Sequence, residues 1–189
     1  MIGAVLVAAE ALRLLTLPLP CTTRVERAIV LLMQEPGPDD RRRGRLRKLE
    51  GRGHRSRSWA RYLSVPVCRF SERFRVDPVL AASLMRPESD FDPHAISAVG
   101  KDLGLTQIRR GITTRGYDHL TDRQLMRPWL NIFLGVRRMA LARRNCEAGA
   151  PPEVWLGGYA GLQCGSTPYS RRLMYFYRRA IGLSPRLNL

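Results

Sequence analysis

Lysine is almost absent from this 189-residue sequence: Lys48 and Lys101 are the only two among 32 basic residues. Acidic residues are also scarce, 16 in all, which leaves a formal net charge of +16. Such a balance argues against a cationic partner and for an anionic one, which arginine grips through a planar fork of donors. There are only four cysteines, Cys21, Cys68, Cys146 and Cys164, with no CxxC pair and no Cys/His cluster at metal-ligand spacing. Neither a structural metal nor a dense disulfide scaffold is therefore expected. Cys146 and Cys164 flank a stretch containing Gly and Pro, and they either pair or remain buried thiols.

Long apolar runs are missing too. The start, "MIGAVLVAAEALRLLTLPLP", is interrupted by Glu10 and Arg13 and has no basic residue ahead of its apolar part. It makes a poor signal peptide, and it falls short of the roughly 20 apolar residues that span a bilayer. No transmembrane segment is expected, and a lipid-modified Cys21 is not expected either. No stretch alternates Val, Ile and Thr convincingly, so any sheet is small. His54, His94 and His119 are scattered without a serine or cysteine motif nearby, which argues against a nucleophilic triad.

Three segments differ in texture. Residues 1–35 form an apolar extension in which Thr22 and Thr23 are placed to cap a helix through "RVERAIVLLMQ". Residues 36–58, "PGPDDRRRGRLRKLEGRGHRSRS", have few large apolar side chains and dense positive charge. This composition predicts a solvated basic linker or arm, whose residues 41–57 suit an anionic polymer. Residues 59–185 read as a compact helical domain. Its first helix, "SWARYLSVPVCRFSERF", is expected to break near Pro66, and "VDPVLAASLM" gives a second helix with Asp77 at the cap and Pro78 in the first turn. "TDRQLMRPWLNIFLGVRRMALARRN" predicts a third with Thr121 at its cap, and "PPEVWLGGYAG" and "TPYSRRLMYFYRRAIG" add a short and a longer helix. The fold class is mainly α, with a small hairpin around residues 96–108.

Chemistry concentrates in "RPESDFDPHAISAVGKDLGLTQI", residues 86–108. Pro87 biases Arg86 away from helical geometry, so Glu88 is expected at a helix end, backed by Leu84, Met85 and Phe91. A carboxyl group desolvated in that way has a raised pKa and suits a general acid. Gly100 and Gly104 permit tight turns, and Gln107 offers an uncharged amide for sugar hydroxyl and acetamido groups. Taken alone, the same stretch also reads as a polar connection between two helices.

The order of "ESDFDPHAIS", "DLGLTQI", "LMRPWLNIFLGVRRM" and "GGYAG" resembles the lytic transglycosylases of the lysozyme-like superfamily, in particular the small secretion-associated and phage-virion members. The resemblance runs from about Arg69 to Gly182. It implies a lysozyme-like domain with Glu88 as the single catalytic acid/base, no cofactor and no metal. It also implies substrate-binding roles for Ser89, Gln107, Tyr159 and Asn131, with Gly135 on the helix beneath the cleft. Three positions depart from the family pattern: Thr106 stands for a methionine, Ala160 for the asparagine after Tyr159, and Pro87 is an unusual neighbour of Glu88 that would shift it relative to the substrate. The implied reaction is cleavage of the β-1,4 bond between N-acetylmuramic acid and N-acetylglucosamine in peptidoglycan glycan strands, closing a 1,6-anhydro ring. The expected location is the peptidoglycan-facing periplasm or exterior, reached as part of a phage virion or tail or of a secretion apparatus.

Three rivals remain at this level. A muramidase needs a second carboxylate, for which Asp102 is the candidate. An inactive lysozyme-like virion protein keeps the shape alone. A nucleic-acid-binding protein would use the basic arm and the Arg/Tyr interleaving of "YSRRLMYFYRR". Trp155 and Tyr169 read equally as core residues or sugar-stacking platforms.

Overall fold

The computed structural model describes residues 19–34, 56–111, 113–114, 116–161 and 163–182. Most of the expected basic arm, residues 36–55, and the first 18 residues lie outside them. The first helix, α1 (Cys21–Gln34), buries Val25, Ala28, Ile29, Leu32 and Met33, an i, i+3, i+4, i+7, i+8 stripe. It begins at Cys21, so Thr22 and Thr23 sit inside it rather than at its cap.

Ser56 caps α2 (Arg57–Phe74) by accepting the Trp59 N–H at 3.1 Å. Contrary to the expected break, Pro66 lies within a continuous helix and is itself buried. An interior proline costs about 3 kcal/mol. Here the same face seats Ala60, Leu63 and Val67 fully in the core, which offsets that cost.

The central helix is α3 (Pro78–Ser89). Asp77 Oδ1 accepts the N–H groups of Val79 and Leu80, both at 2.8 Å, and every residue from Val79 to Arg86 is buried. A helix apolar on all sides must be enclosed, and α3 packs against α1, α2 and α7. Pro87 leaves Arg86 helical, contrary to the local bias, and only the last turn carries Glu88 and Ser89. Two successive left-handed residues, Asp90 (φ 54°) and Phe91 (φ 62°), then turn the chain sharply and bury the Phe91 ring completely.

The sheet is a short antiparallel hairpin, β1 (Asp102–Leu103) with β2 (Ile108–Arg109), pairing Asp102 with Arg109 and Leu103 with Ile108. The expected third helix is two: α4 (Asp122–Leu125), with a Thr121/Gln124 capping box, and α5 (Pro128–Asn145). Pro128 forces the separation by holding Arg127 extended (ψ 126°). α6 (Pro152–Tyr159) and α7 (Pro168–Ala180) complete the domain, α7 beginning at a Thr167/Ser170 capping box.

One core joins α1, α2, α3, α5, α6 and α7, and a second, around Leu103, Ile108, Leu125 and Leu134, lies under the hairpin. Thus α1, expected in a separate extension, packs into the same core. Disulfides Cys21–Cys68 and Cys146–Cys164 tie α1 to α2, and the end of α5 to the α6–α7 loop. The first pair was not anticipated. Among the described residues no helix is long and apolar enough to cross a membrane. The architecture of the described residues is mainly helical, with one small hairpin.

Candidate active site

Glu88 projects from the last turn of α3 toward the first turn of α7. Pro168 and the capping box fix where α7 starts, which puts Tyr169 at its second position. The Tyr169 hydroxyl donates to Glu88 Oε1 in a short hydrogen bond. Burial pushes the Glu88 carboxyl up from its ordinary 4.5 to about 7. The Tyr169 bond and the charges of Arg138 and Arg172 pull the other way, while the charge of Asp102 adds to the rise. Desolvation wins, so near neutrality this carboxyl both holds and releases a proton.

The Gly-Leu-Thr-Gln-Ile turn is held against Glu88 by its neighbours. Ser89 Oγ donates to Leu105 O at 2.9 Å and to Met85 O at 3.2 Å, stitching the end of α3 to the turn. Asn131 of α5 is fully buried: its Oδ1 accepts from Thr106 N (2.8 Å) and Thr106 Oγ1 (2.9 Å), and its Nδ2 donates to Leu103 O (2.9 Å) and Leu125 O (2.8 Å). That uses the whole capacity of the amide. Thr106, where the family pattern has methionine, completes this network through its hydroxyl. Gly135 makes the approach possible, since a Cβ there would lie 2.5 Å from Thr106 Oγ1. At Gly104 (φ +72°) a Cβ would meet Asn131 Nδ2 at 2.5 Å.

Two expected substrate-binding residues are therefore corrected. Asn131 has no exposed surface, and Tyr159 is 2% exposed with its hydroxyl donating to Thr106 O at 2.9 Å. Both brace the site instead of facing a ligand. The Ser89 hydroxyl is likewise committed to backbone carbonyls. Gln107, at φ 48°, keeps a partly exposed place at the turn, its Nε2 donating to Gly104 O at 2.9 Å and Ala95 O at 3.3 Å.

Asp102 is locked to Arg109 through both oxygens, at 2.6 and 2.7 Å. The Arg109 hydrogen bond holds its carboxyl below the ordinary value, so it is ionised and already paired. Trp155 belongs to the core, 4% exposed. A separate groove bordered by Gly100, Lys101, Leu103, Arg109, Arg110 and Asp122 runs beside the hairpin and does not include Glu88. Among the described residues no group of three or more His, Cys, Asp or Glu side chains could hold a metal ion.

Residues 67–167 match the family described as Transglycosylase SLT domain. The chain belongs to this family. The match covers more than half of the chain and takes in Glu88, the Gly-Leu-Thr-Gln-Ile turn, Asn131 and Tyr159. No curated protein matches the chain. Membership in the SLT family carries lytic transglycosylase activity toward peptidoglycan in its general form.

Two side chains at the SLT site had no assignment from sequence. Tyr169 was left between core and platform. Its capping box marks a helix start, but nothing local says that this start meets the end of α3. Arg138 was read only as one of many arginines. Its Nη1 donates to Thr113 Oγ1 at 2.9 Å and its guanidinium lies 4.8 Å from the Tyr159 ring centroid, so it adjoins the site from α5.

Proposed function

We propose that this chain is a peptidoglycan lytic transglycosylase in which Glu88 alone serves as acid and then base, releasing a 1,6-anhydro product. The supporting observation is the Glu88 carboxyl itself, which is desolvated, carries a pKa of about 7 and is held by Tyr169 inside an SLT domain. Protonated Glu88 donates to the glycosidic oxygen as the bond from muramic C1 breaks through an oxocarbenium-like transition state. The substrate's own acetamido group stabilises the cation at C1. Glu88, now ionised, takes the proton of the muramic 6-hydroxyl, whose oxygen closes on C1. Proton and electron pairs balance without water, metal or cofactor.

A hydrolytic muramidase would need Asp102 to activate water or bond to C1. Its bidentate pair with Arg109 would have to open first, which favours the single-carboxylate reading. Incubating the protein and Glu88→Gln with purified peptidoglycan, and weighing the released muropeptides by mass spectrometry, tests this directly. Anhydro-muropeptides that vanish in Glu88→Gln are expected. Reducing-end products would turn the assignment to a muramidase, and no release from folded protein would mark an inactive scaffold.

The substrate places the working site in the periplasm or outside the cell, and the two disulfides suit an oxidising compartment. Local action within a phage virion or an envelope-crossing machine is part of the same proposal, with the cationic segment 41–57 as the anchor to an anionic surface or larger assembly. Recovery of the intact chain with purified particles or machinery, lost on deleting 41–57, is the expected result.

A further inference from the structure

A line of side chains leads to Glu88 from α5. Arg138 is partly buried, donates to Thr113 Oγ1 at 2.9 Å, and sets its guanidinium 4.8 Å from the centre of the Tyr159 ring. Tyr159 stacks on Tyr169, with centroids 6.2 Å apart and planes 7° from parallel. Tyr169 in turn donates to Glu88. At the adjoining turn Ala160 has no polar side chain, and Gly161 (φ +83°) lies beside Arg138, whose Nη2 would be 3.9 Å from a Cβ there. A Cβ at 161 would make only ordinary contact with the guanidinium, but the positive φ would strain any side chain placed there.

We propose that Arg138 is a positioning residue for Glu88: from α5 it braces Tyr159, and through the Tyr159–Tyr169 stack it fixes the hydroxyl that holds the catalytic carboxyl. The proposal rests on reading Glu88 as the acid/base. Cation–π attraction from a partly desolvated guanidinium favours one ring placement over others. Arginine suits the task because a flat, delocalised cation can lie along a ring and still donate in its plane to Thr113.

The charge has a second effect. The groups that act on Glu88 are Tyr169 and Arg172 from α7, Arg138 from α5 and Asp102 from β1, with the hydroxyl of Tyr159 turned away to Thr106. Of these, Arg138 exerts the larger cationic pull on the carboxyl, ahead of Arg172. It favours the ionised state that must accept the 6-hydroxyl proton in the second half of the reaction. A residue that only supported the fold would leave the titration of Glu88 unmoved.

The test titrates Glu88 by carboxyl carbon NMR in the full chain, assigned by its loss in Glu88→Gln, for the unmutated protein and for Arg138→Met, Arg138→Gln and Arg138→Lys. Without the guanidinium charge the Glu88 midpoint is expected to rise by roughly half a unit to one unit, and lysine restores it. In peptidoglycan assays the Met and Gln variants lose at least about tenfold in kcat with KM little changed, whereas Lys recovers only part because it cannot lie flat on Tyr159. An unmoved midpoint in the neutral variants overturns the proposal, as does a lysine variant that shifts as far as they do. A rise in KM with kcat intact also overturns it, assigning Arg138 to substrate anchoring. The titration needs no turnover, so it decides the role of Arg138 even if the unmutated protein releases no muropeptide. Two neutral variants guard against one failing to fold.

Discussion

Glu88 is where stability and chemistry oppose each other at the scale of one residue. Its folded pKa of about 7 lies above the ordinary 4.5, so the folded chain holds this proton more tightly than the unfolded one. The associated stability is fully present below about pH 4.5 and is lost as pH rises through about 7, a loss on the order of 3 kcal/mol. Glu88→Gln, which can still accept from Tyr169, removes that dependence. Urea unfolding at pH 4.5 and pH 8 is expected to show the variant gaining on the unmutated protein only at the higher pH. Tyr169→Phe removes a donor that favours the ionised carboxylate, so the Glu88 midpoint rises further and kcat falls about tenfold to a hundredfold. An unchanged pH–rate profile for Tyr169→Phe would show that its hydroxyl does not govern the carboxyl.

Elements meet through contacts too close for most side chains, and their sensitivities differ. Asp77→Ala removes two N-terminal hydrogen bonds of α3 and should cost about 1 kcal/mol, with activity per folded molecule retained. Gly135→Ala is expected to do more harm. Its Cβ would meet three Thr106 atoms at 2.5–2.8 Å, and overpacking of this kind typically costs about 1–3 kcal/mol. Thr106 also carries the carbonyl that receives Tyr159, so the displacement reaches the stack behind Glu88. Denaturation midpoints and muropeptide release, measured together, separate the two cases: stability falls in both variants, specific activity only in Gly135→Ala.

Across the whole molecule, two long-range restraints and one large charge dominate. The Cys21–Cys68 link spans 47 positions and Cys146–Cys164 spans 18. Loop-closure entropy gives about 4 and about 3 kcal/mol for links of those lengths. Reduction by dithiothreitol should therefore lower the urea midpoint strongly, and Cys21→Ser with Cys68→Ser should lower it more than the C-terminal pair of substitutions. The net charge of +16 predicts salt-sensitive attachment to anionic wall material. Raising ionic strength from about 0.01 to about 1 M shortens the screening length from about 30 to about 3 Å. Cosedimentation with peptidoglycan should then fall while the Glu88 titration midpoint moves little, because the partly buried site is screened less than the surface.

What the sequence determined by itself was whatever depends on neighbours along the chain. Helix starts at Asp77, Thr121 and Pro168 follow from local capping chemistry, the hairpin near residue 102 from its glycine turns, and the proposal of Glu88 as acid/base from a motif whose residues lie close together. Only the tertiary structure decided how those pieces meet. Core burial kept α2 continuous through Pro66 and drew α1 into the domain, overriding the local meaning of a proline and a segment boundary. It also turned Asn131 and Tyr159 inward, where three amide hydrogen bonds and the Tyr159 hydroxyl are satisfied by backbone brought in from Leu103, Thr106 and Leu125, and the fourth amide bond by the Thr106 hydroxyl. Tyr169 stands 81 positions from the carboxyl it holds, and no local pattern encodes a contact at that distance. Glu88 was singled out in the chain, but the environment that raises its pKa exists only once α3, α5 and α7 have packed.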